Sequence, residues 1–263
     1  MTGHIRQPAV AGMFYPANPD ELGAMLDELL SHAKPVDANT PKAMIVPHAG
    51  YIYSGPVAAS AYQLLRESAD KIKRVILLGP SHRVPFHGMA TSSASHFATP
   101  LGLIPLDQKV INNISDLPGV KLLDEAHAME HSLEVHLPFL QKTLSSFSLV
   151  PIVVGEANAR QVAEVLKAVW DGDETLIVIS SDLSHYHDYQ TAKQMDRATS
   201  DAIEKLSPDD IGYEDACGRN PVKGLLYLAR ELGLHARTID LRNSGDTAGP
   251  RDQVVGYGAY TIS

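Results

Sequence analysis

A single cysteine, Cys217, in a chain of 263 residues excludes an internal disulfide and any zinc or iron–sulfur site built from several thiolates. Basic runs are also missing. The net charge is −9 with Lys and Arg scattered, so the clustered cations that grip a nucleic-acid backbone are not there. No window approaches the length of a membrane span, and Met1 to Val10 lack the apolar core of a signal peptide. The expectation is a cytoplasmic protein that binds neither nucleic acid nor membrane. There is no Walker loop. Gly79-Pro80-Ser81-His82 lacks the glycine spacing of a dinucleotide fingerprint, and Ser180-Ser181 lacks the flanking glycines of a nucleophile elbow.

What the chain does have is an apolar content of 44%, ample for one core, and twelve histidines. Apolar runs at 43–46, 74–78, 149–154 and 175–180 read as buried strands, and amphipathic stretches near 19–30, 54–65, 157–170, 189–206 and 222–232 read as helices. Asn18-Pro19-Asp20, Ser54 and Asp107 are candidate helix starts, and Gly233 is a candidate stop. Residues 5–16 read as an extended lead-in, 33–41 as a polar loop, 97–107 as a short hairpin and 243–250 as a glycine-rich loop. Alternating strands and helices predict a single α/β domain over 1–263. Its central sheet is largely parallel or mixed and flanked by helices, with antiparallel edges formed by the hairpin and the C-terminal strand pair.

The histidines sit where such sheets do chemistry. Val46-Pro47-His48-Ala49-Gly50 closes one apolar run, and Gly79-Pro80-Ser81-His82 closes another. If those strands are neighbours in a parallel sheet, two imidazoles lie side by side at the edge where open α/β sheets bind ligands. Ser181-Asp182-Leu183-Ser184-His185 closes a third, and either Asp182 or His185 can bind a metal or handle a proton. A polar knot, Glu130-His131-Ser132-Leu133-Glu134-Val135-His136, adds a further contributor. Val135 breaks the spacing of an inverted zinc-protease motif. The knot therefore reads as a buried polar network, as glutamates orienting imidazoles, or as an acid or base at His131. Two neutral imidazoles and a carboxylate suit non-haem Fe(II), and similar ligands hold zinc. Cys217 reads as an ordinary partly buried residue.

These motifs resemble the Memo family (mediator of ErbB-driven cell motility), and in particular its bacterial and archaeal branch, AmmeMemoRadiSam system protein B. The matching pieces are 8–16, 46–55, 78–82, 130–139, 180–185 and 243–246, in order along nearly the whole chain. The resemblance implies a fold similar to the class III extradiol dioxygenases, which hold Fe(II) with two histidines and a carboxylate. It places His48 and His82 at the metal-binding histidines. Animal Memo proteins add a cysteine in the C-terminal loop. Here that match falls on Asp246 or Thr247, Asp246 being favoured because a carboxylate restores the dioxygenase-like set, while Cys217 lies too far upstream to be its equivalent. Asp182, His185 and His131 are then the catalytic candidates. The cofactor expected is Fe(II), with copper or zinc as alternatives. The activity implied is a metal-dependent oxidoreductase acting on a small molecule or peptide. The alternative is a non-catalytic peptide-binding or metal-handling partner of a radical-SAM protein and an AMMECR-type protein.

Overall fold

Four apolar runs, rich in Val, Ile and Leu, form the centre of the sheet because both of its faces are covered. The computed structural model describes residues 4–33 and 40–263, so the polar loop expected at 33–41 lies largely outside the described residues. The strands, in chain order, are β1 (Ile5–Arg6), β2 (Ala43–Val46), β3 (Arg74–Pro80), β4 (Met89–Thr91), β5 (His96–Thr99), β6 (Gly102–Pro105), β7 (Val120–Leu122), β8 (Ser148–Val154), β9 (Thr175–Ser180), β10 (His185–His187), β11 (Ala236–Asn243) and β12 (Val254–Ile262). Strands β2, β9, β3 and β8 are mutually parallel and nearly all buried. Each large aliphatic side chain there contributes roughly 1.5–3 kcal/mol on burial.

The full order is β10-β12-β2-β9-β3-β8-β4-β7, with β11 on β12. Antiparallel pairing of β12 to β2 and of β4 to β8 gives the mixed sheet its edges. The expected hairpin at 97–107 is β5 and β6, but it does not edge this sheet. It pairs with β1 of the N-terminal lead-in as a separate three-stranded sheet. Strand β9 inserts between β2 and β3, so the two strands leading to His48 and His82 are next-but-one neighbours rather than adjacent.

The helices are α1 (Pro19–Ser31), α2 (Tyr51–Tyr62), α3 (Gln108–Ser115), α4 (Asp124–Ala128), α5 (Leu137–Thr143), α6 (Ala159–Ala168), α7 (Tyr189–Glu204), α8 (Arg219–Glu231) and α9 (Ser244–Thr247). Asn18 caps α1 by accepting from the Asp20 and Glu21 N–H groups, and Leu22, Leu26 and Leu30 form its buried stripe. Helix α2 starts at Tyr51 rather than at the expected Ser54 cap. The Tyr51 N–H is anchored on the Phe14 carbonyl and its hydroxyl on that of Val135, and Ser54, one turn inside, donates to the Ala49 carbonyl. Helix α8 packs on β3, β9 and α6, while α2 covers β2, β11 and β12.

Candidate metal centre

The parallel strands end at one level. Val46 of β2 is in register with Ser180 of β9, and β3 runs beside β9. Two residues past the three strand ends stand His48, Asp182 and His82. His131 arrives from the segment between α4 and a short 3-10 turn at Glu134–His136. This segment presses on β3 at Gly79, where a Cβ would meet the Ser132 hydroxyl at 2.8 Å and force it to shift from the Pro80 carbonyl it donates to. One ring nitrogen from each of His48, His82 and His131 lies within 4.8 Å of the others. The ring centroids are 5.2 Å apart for His48 and His82, 5.4 Å for His48 and His131, and 4.6 Å for the stacked His82 and His131.

Hydrogen bonds behind the rings decide which nitrogen faces the cluster. Ser180 Oγ donates its one proton to the Ser132 carbonyl at 2.6 Å, so at 2.6 Å from His48 Nδ1 it can only accept. His48 Nδ1 therefore carries the hydrogen, and Nε2 keeps its lone pair. His82 Nδ1 donates to Glu130 Oε1 at 2.9 Å, which frees its Nε2 in the same way. Glu130 also accepts the backbone N–H groups of His82, His131 and Ser132 at 2.6, 3.0 and 2.9 Å. Burial alone would raise this carboxyl, but the His82 hydrogen bond and charge, with those amides, bring it down to about 2. One carboxylate thus holds the His82 ring and the backbone of His131 and Ser132.

Burial, reinforced by neighbouring imidazoles, holds His48 well below its usual value and His131 down to about 4. Neutral rings with free lone pairs are the form a metal takes. His131 Nδ1 is buried and, among the described residues, has no hydrogen-bond partner, lying 3.3 Å from Glu130 Oε1 without alignment. Asp182 Oδ1 accepts the His48 N–H at 2.7 Å, and Oδ2 lies 3.9 Å from His48 Nε2. Burial pushes this carboxyl up to about 7. His185, half-buried on β10, is lowered chiefly by burial and further by the neighbouring His82, and it adds to the lowering of His48.

Other expected residues stand elsewhere. Asp246 is not in the cluster of described residues able to hold a metal. Asn243 and Asp246 form a capping box that coils the expected loop into α9, turning the carboxylate onto the Asn243 N–H at 3.1 Å and the Tyr189 hydroxyl at 2.6 Å. Thr247, the alternative, donates to the Ser244 carbonyl. Glu134 orients no imidazole, since it takes Arg6, the Tyr15 hydroxyl and the N–H groups of Ala9 and Val10. Cys217, read as an ordinary residue, lies with Sγ 3.5 Å from His48 Nε2. Nothing in its sequence neighbourhood signals that meeting, because 169 positions separate the two residues.

The profile of Memo-like proteins matches residues 6–261. The chain belongs to the Memo family. A MEMO1 family protein of Aquifex aeolicus is 36% identical over 264 residues, covering 96% of this chain and 97% of that protein. One from Ignicoccus hospitalis is 37% identical over 280 residues, covering 97% of each. A crystal structure of an uncharacterized protein from Escherichia coli K12 shares the fold at a TM-score of 0.52 and 13% identity, over 83% of this Memo chain and 98% of that one. Among the described residues, no helix of this Memo protein is long and apolar enough to cross a membrane.

Proposed function

We propose that this Memo protein is a mononuclear metal-dependent oxidoreductase whose metal, Fe(II) in the cell, is held by His48, His82 and His131. The carrying observation is three imidazole nitrogens within 4.8 Å of one another, two of them freed as Nε2 lone pairs by Ser180 and Glu130. The residues fit such an ion: burial keeps the His48 and His131 rings neutral, and His131 Nδ1 is a buried polar atom without a hydrogen-bond partner among the described residues. Bound there, iron would supply Lewis acidity and one-electron chemistry toward oxygen and an organic substrate.

The protein's own groups divide the remaining work. Glu130 holds the His82 ring and the His131 backbone in place, and Ser180 holds the His48 ring. Asp182, at about 7, is poised to take up or release a proton at Oδ2 beside His48. His185 offers a second neutral base on the half-buried side, beside the exposed Tyr186 ring.

Anaerobic reconstitution with Fe(II), followed by elemental analysis, tests the ligand set. Stoichiometric iron is expected in the parent and in Asp246→Ala, and little in His48→Ala, His82→Ala or His131→Ala. Retention in His131→Ala with loss in Asp246→Ala would instead restore the two-histidine, one-carboxylate set. Catalytic oxygen consumption by the iron-loaded parent with ascorbate supplied as reductant, absent in Asp182→Asn at full iron content, would mark Asp182 as the proton-handling group. A parent that takes up no metal sinks the proposal.

A further inference from the structure

The metal reading leaves one cation near the centre without a role. The other arginines withdrawn from solvent each pair with a carboxylate: Arg6 with Glu134, Arg74 with Asp107 and Arg242 with Asp240. Arg219 is half-buried too, yet among the described residues its guanidinium has no carboxylate partner and no hydrogen-bond acceptor. It lies over the Tyr213 ring, 4.0 Å from the centroid. The chain carries 31 acidic residues against 22 Lys and Arg, so a partly desolvated cation left unpaired stands open to an anion from outside.

Arg219 lines a cavity of about 240 Å³ together with Ser81, Tyr213, Cys217 and Asn220. That cavity borders the metal centre, because Ser81 directly precedes His82 and Cys217 Sγ lies 3.5 Å from His48 Nε2. At Gly218 a Cβ would meet the Ser180 carbonyl at 2.5 Å and the Ser181 Cβ at 2.6 Å, so only glycine lets this turn lie on the end of β9. The turn sets Arg219 and Asn220, the first residues of α8, on the cavity wall. The half-buried Asn220 side chain also makes no hydrogen bond among the described residues. Glu156, the carboxylate on this wall, is exposed and forms no ion pair with Arg219. In the loop after β3 a second guanidinium, that of the exposed Arg83, adds to the lowering of His131, so positive charge reaches the centre from there as well.

We infer that this cavity takes the carboxylate of a small organic acid, gripped by Arg219 and Asn220, and that such an acid is what the metal centre acts on. A guanidinium presents its N–H groups as a planar fork that matches the two oxygens of a carboxylate, and the amide nitrogen adds further donors. At about 240 Å³ the cavity is smaller than the roughly 300–1,000 Å³ of ordinary ligand pockets, so it holds the acid group and a few carbons. The substrate role rests on the metal reading proposed above. The grip on the acid needs no metal.

Heteronuclear NMR of the metal-free full chain tests the grip. Acetate and benzoate are titrated in, beside acetamide and benzamide as neutral counterparts and inorganic phosphate as a different anion. Both acids are expected to shift the Arg219 Nε–H and Asn220 side-chain signals saturably, and the amides to leave them in place. Arg219→Gln should bind benzoate at least about tenfold more weakly, with Arg219→Lys, which keeps the charge without the fork, in between. Acids that move neither signal, or amides that bind equally well, overturn the inference. Phosphate saturating the signals below the concentrations either acid needs would overturn the carboxylate in favour of a phosphate subsite. If Arg219→Gln does not fold, the lysine variant carries the comparison, and parent-like benzoate affinity there would sink the fork. Cobalt then links the cavity to the centre: Co(II) bound to the parent should broaden the ring protons of benzoate, and Arg219→Gln at equal cobalt content should abolish the effect. Benzoate held by Arg219 but not broadened at full cobalt occupancy would overturn the substrate role. A parent that binds benzoate but no cobalt would overturn the metal reading, and the substrate role with it, while the acid cavity stands.

Discussion

Glu130 and Glu134 lie four residues apart in the same short segment, both 1% exposed, and they do opposite work. Glu130 takes an imidazole and three backbone amides at the metal centre. Glu134 takes a guanidinium, a phenol and two amides of the N-terminal lead-in, which it staples to the domain. The difference lies in the countercharge. Arg6 offers Glu134 only donors and so gives it a structural pair, whereas His82 gives Glu130 a partner whose other nitrogen stays available. A buried carboxylate is therefore read from what it touches.

The largest effect expected from breaking this contrast is at Glu134. Glu134→Ala leaves Arg6 buried and uncompensated and should cost about 3–5 kcal/mol, seen as a lower urea midpoint. If the staple is only structural, cobalt binding by the fraction that remains folded should be unchanged. Glu130→Gln should do the reverse. Metal affinity falls roughly 10–100-fold, or about 1.4–2.7 kcal/mol, as the His82 ring loses its orienting charge, with a smaller loss of stability than at Glu134. Equal effects of both variants on metal affinity would erase the distinction.

A third buried carboxylate, Asp196, sharpens the comparison because it accepts the Ser184 N–H at 3.0 Å and, among the described residues, forms no salt bridge with a Lys or Arg. Burial raises it to about 6, above its unfolded value. Its contribution is therefore fully present below about pH 4 and is lost as the pH rises through about 6. Asp196→Asn should thus gain stability relative to the parent across that window, reaching about 1–2 kcal/mol at neutral pH. Thermal melts at pH 4 and pH 7.5 check it, and a gain larger at the lower pH would contradict the assignment. Buried imidazoles slope the other way. His127 and His136, lowered by burial to about 4 and about 3, favour the fold above about pH 6.5, a stabilisation lost as the pH falls through those values.

Much of this was legible along the chain. Apolar runs closed by Pro-His or Pro-x-His turns marked the ends of β2 and β3, and the Asn18 and Asp107 caps lie where local hydrogen bonding puts them. Local pattern failed where packing overrode it. Helix α2 begins three residues before Ser54 because Tyr51 is held by Phe14 and Val135, and the glycine-rich 243–250 stretch contains α9 because Asn243 and Asp246 cap each other.

The sequence by itself determined that this is a Memo-family α/β chain with His48 and His82 at strand ends, because strand periodicity and turn chemistry are local. Only the tertiary structure decided that β9 lies between those strands, that His131 joins them while Asp246 folds back on its own backbone, and that Cys217 meets His48 across 169 positions. Those outcomes depend on strand order and on close approaches at Gly79 and Gly218, and residue spacing along a chain carries no information about which distant segments will share a face.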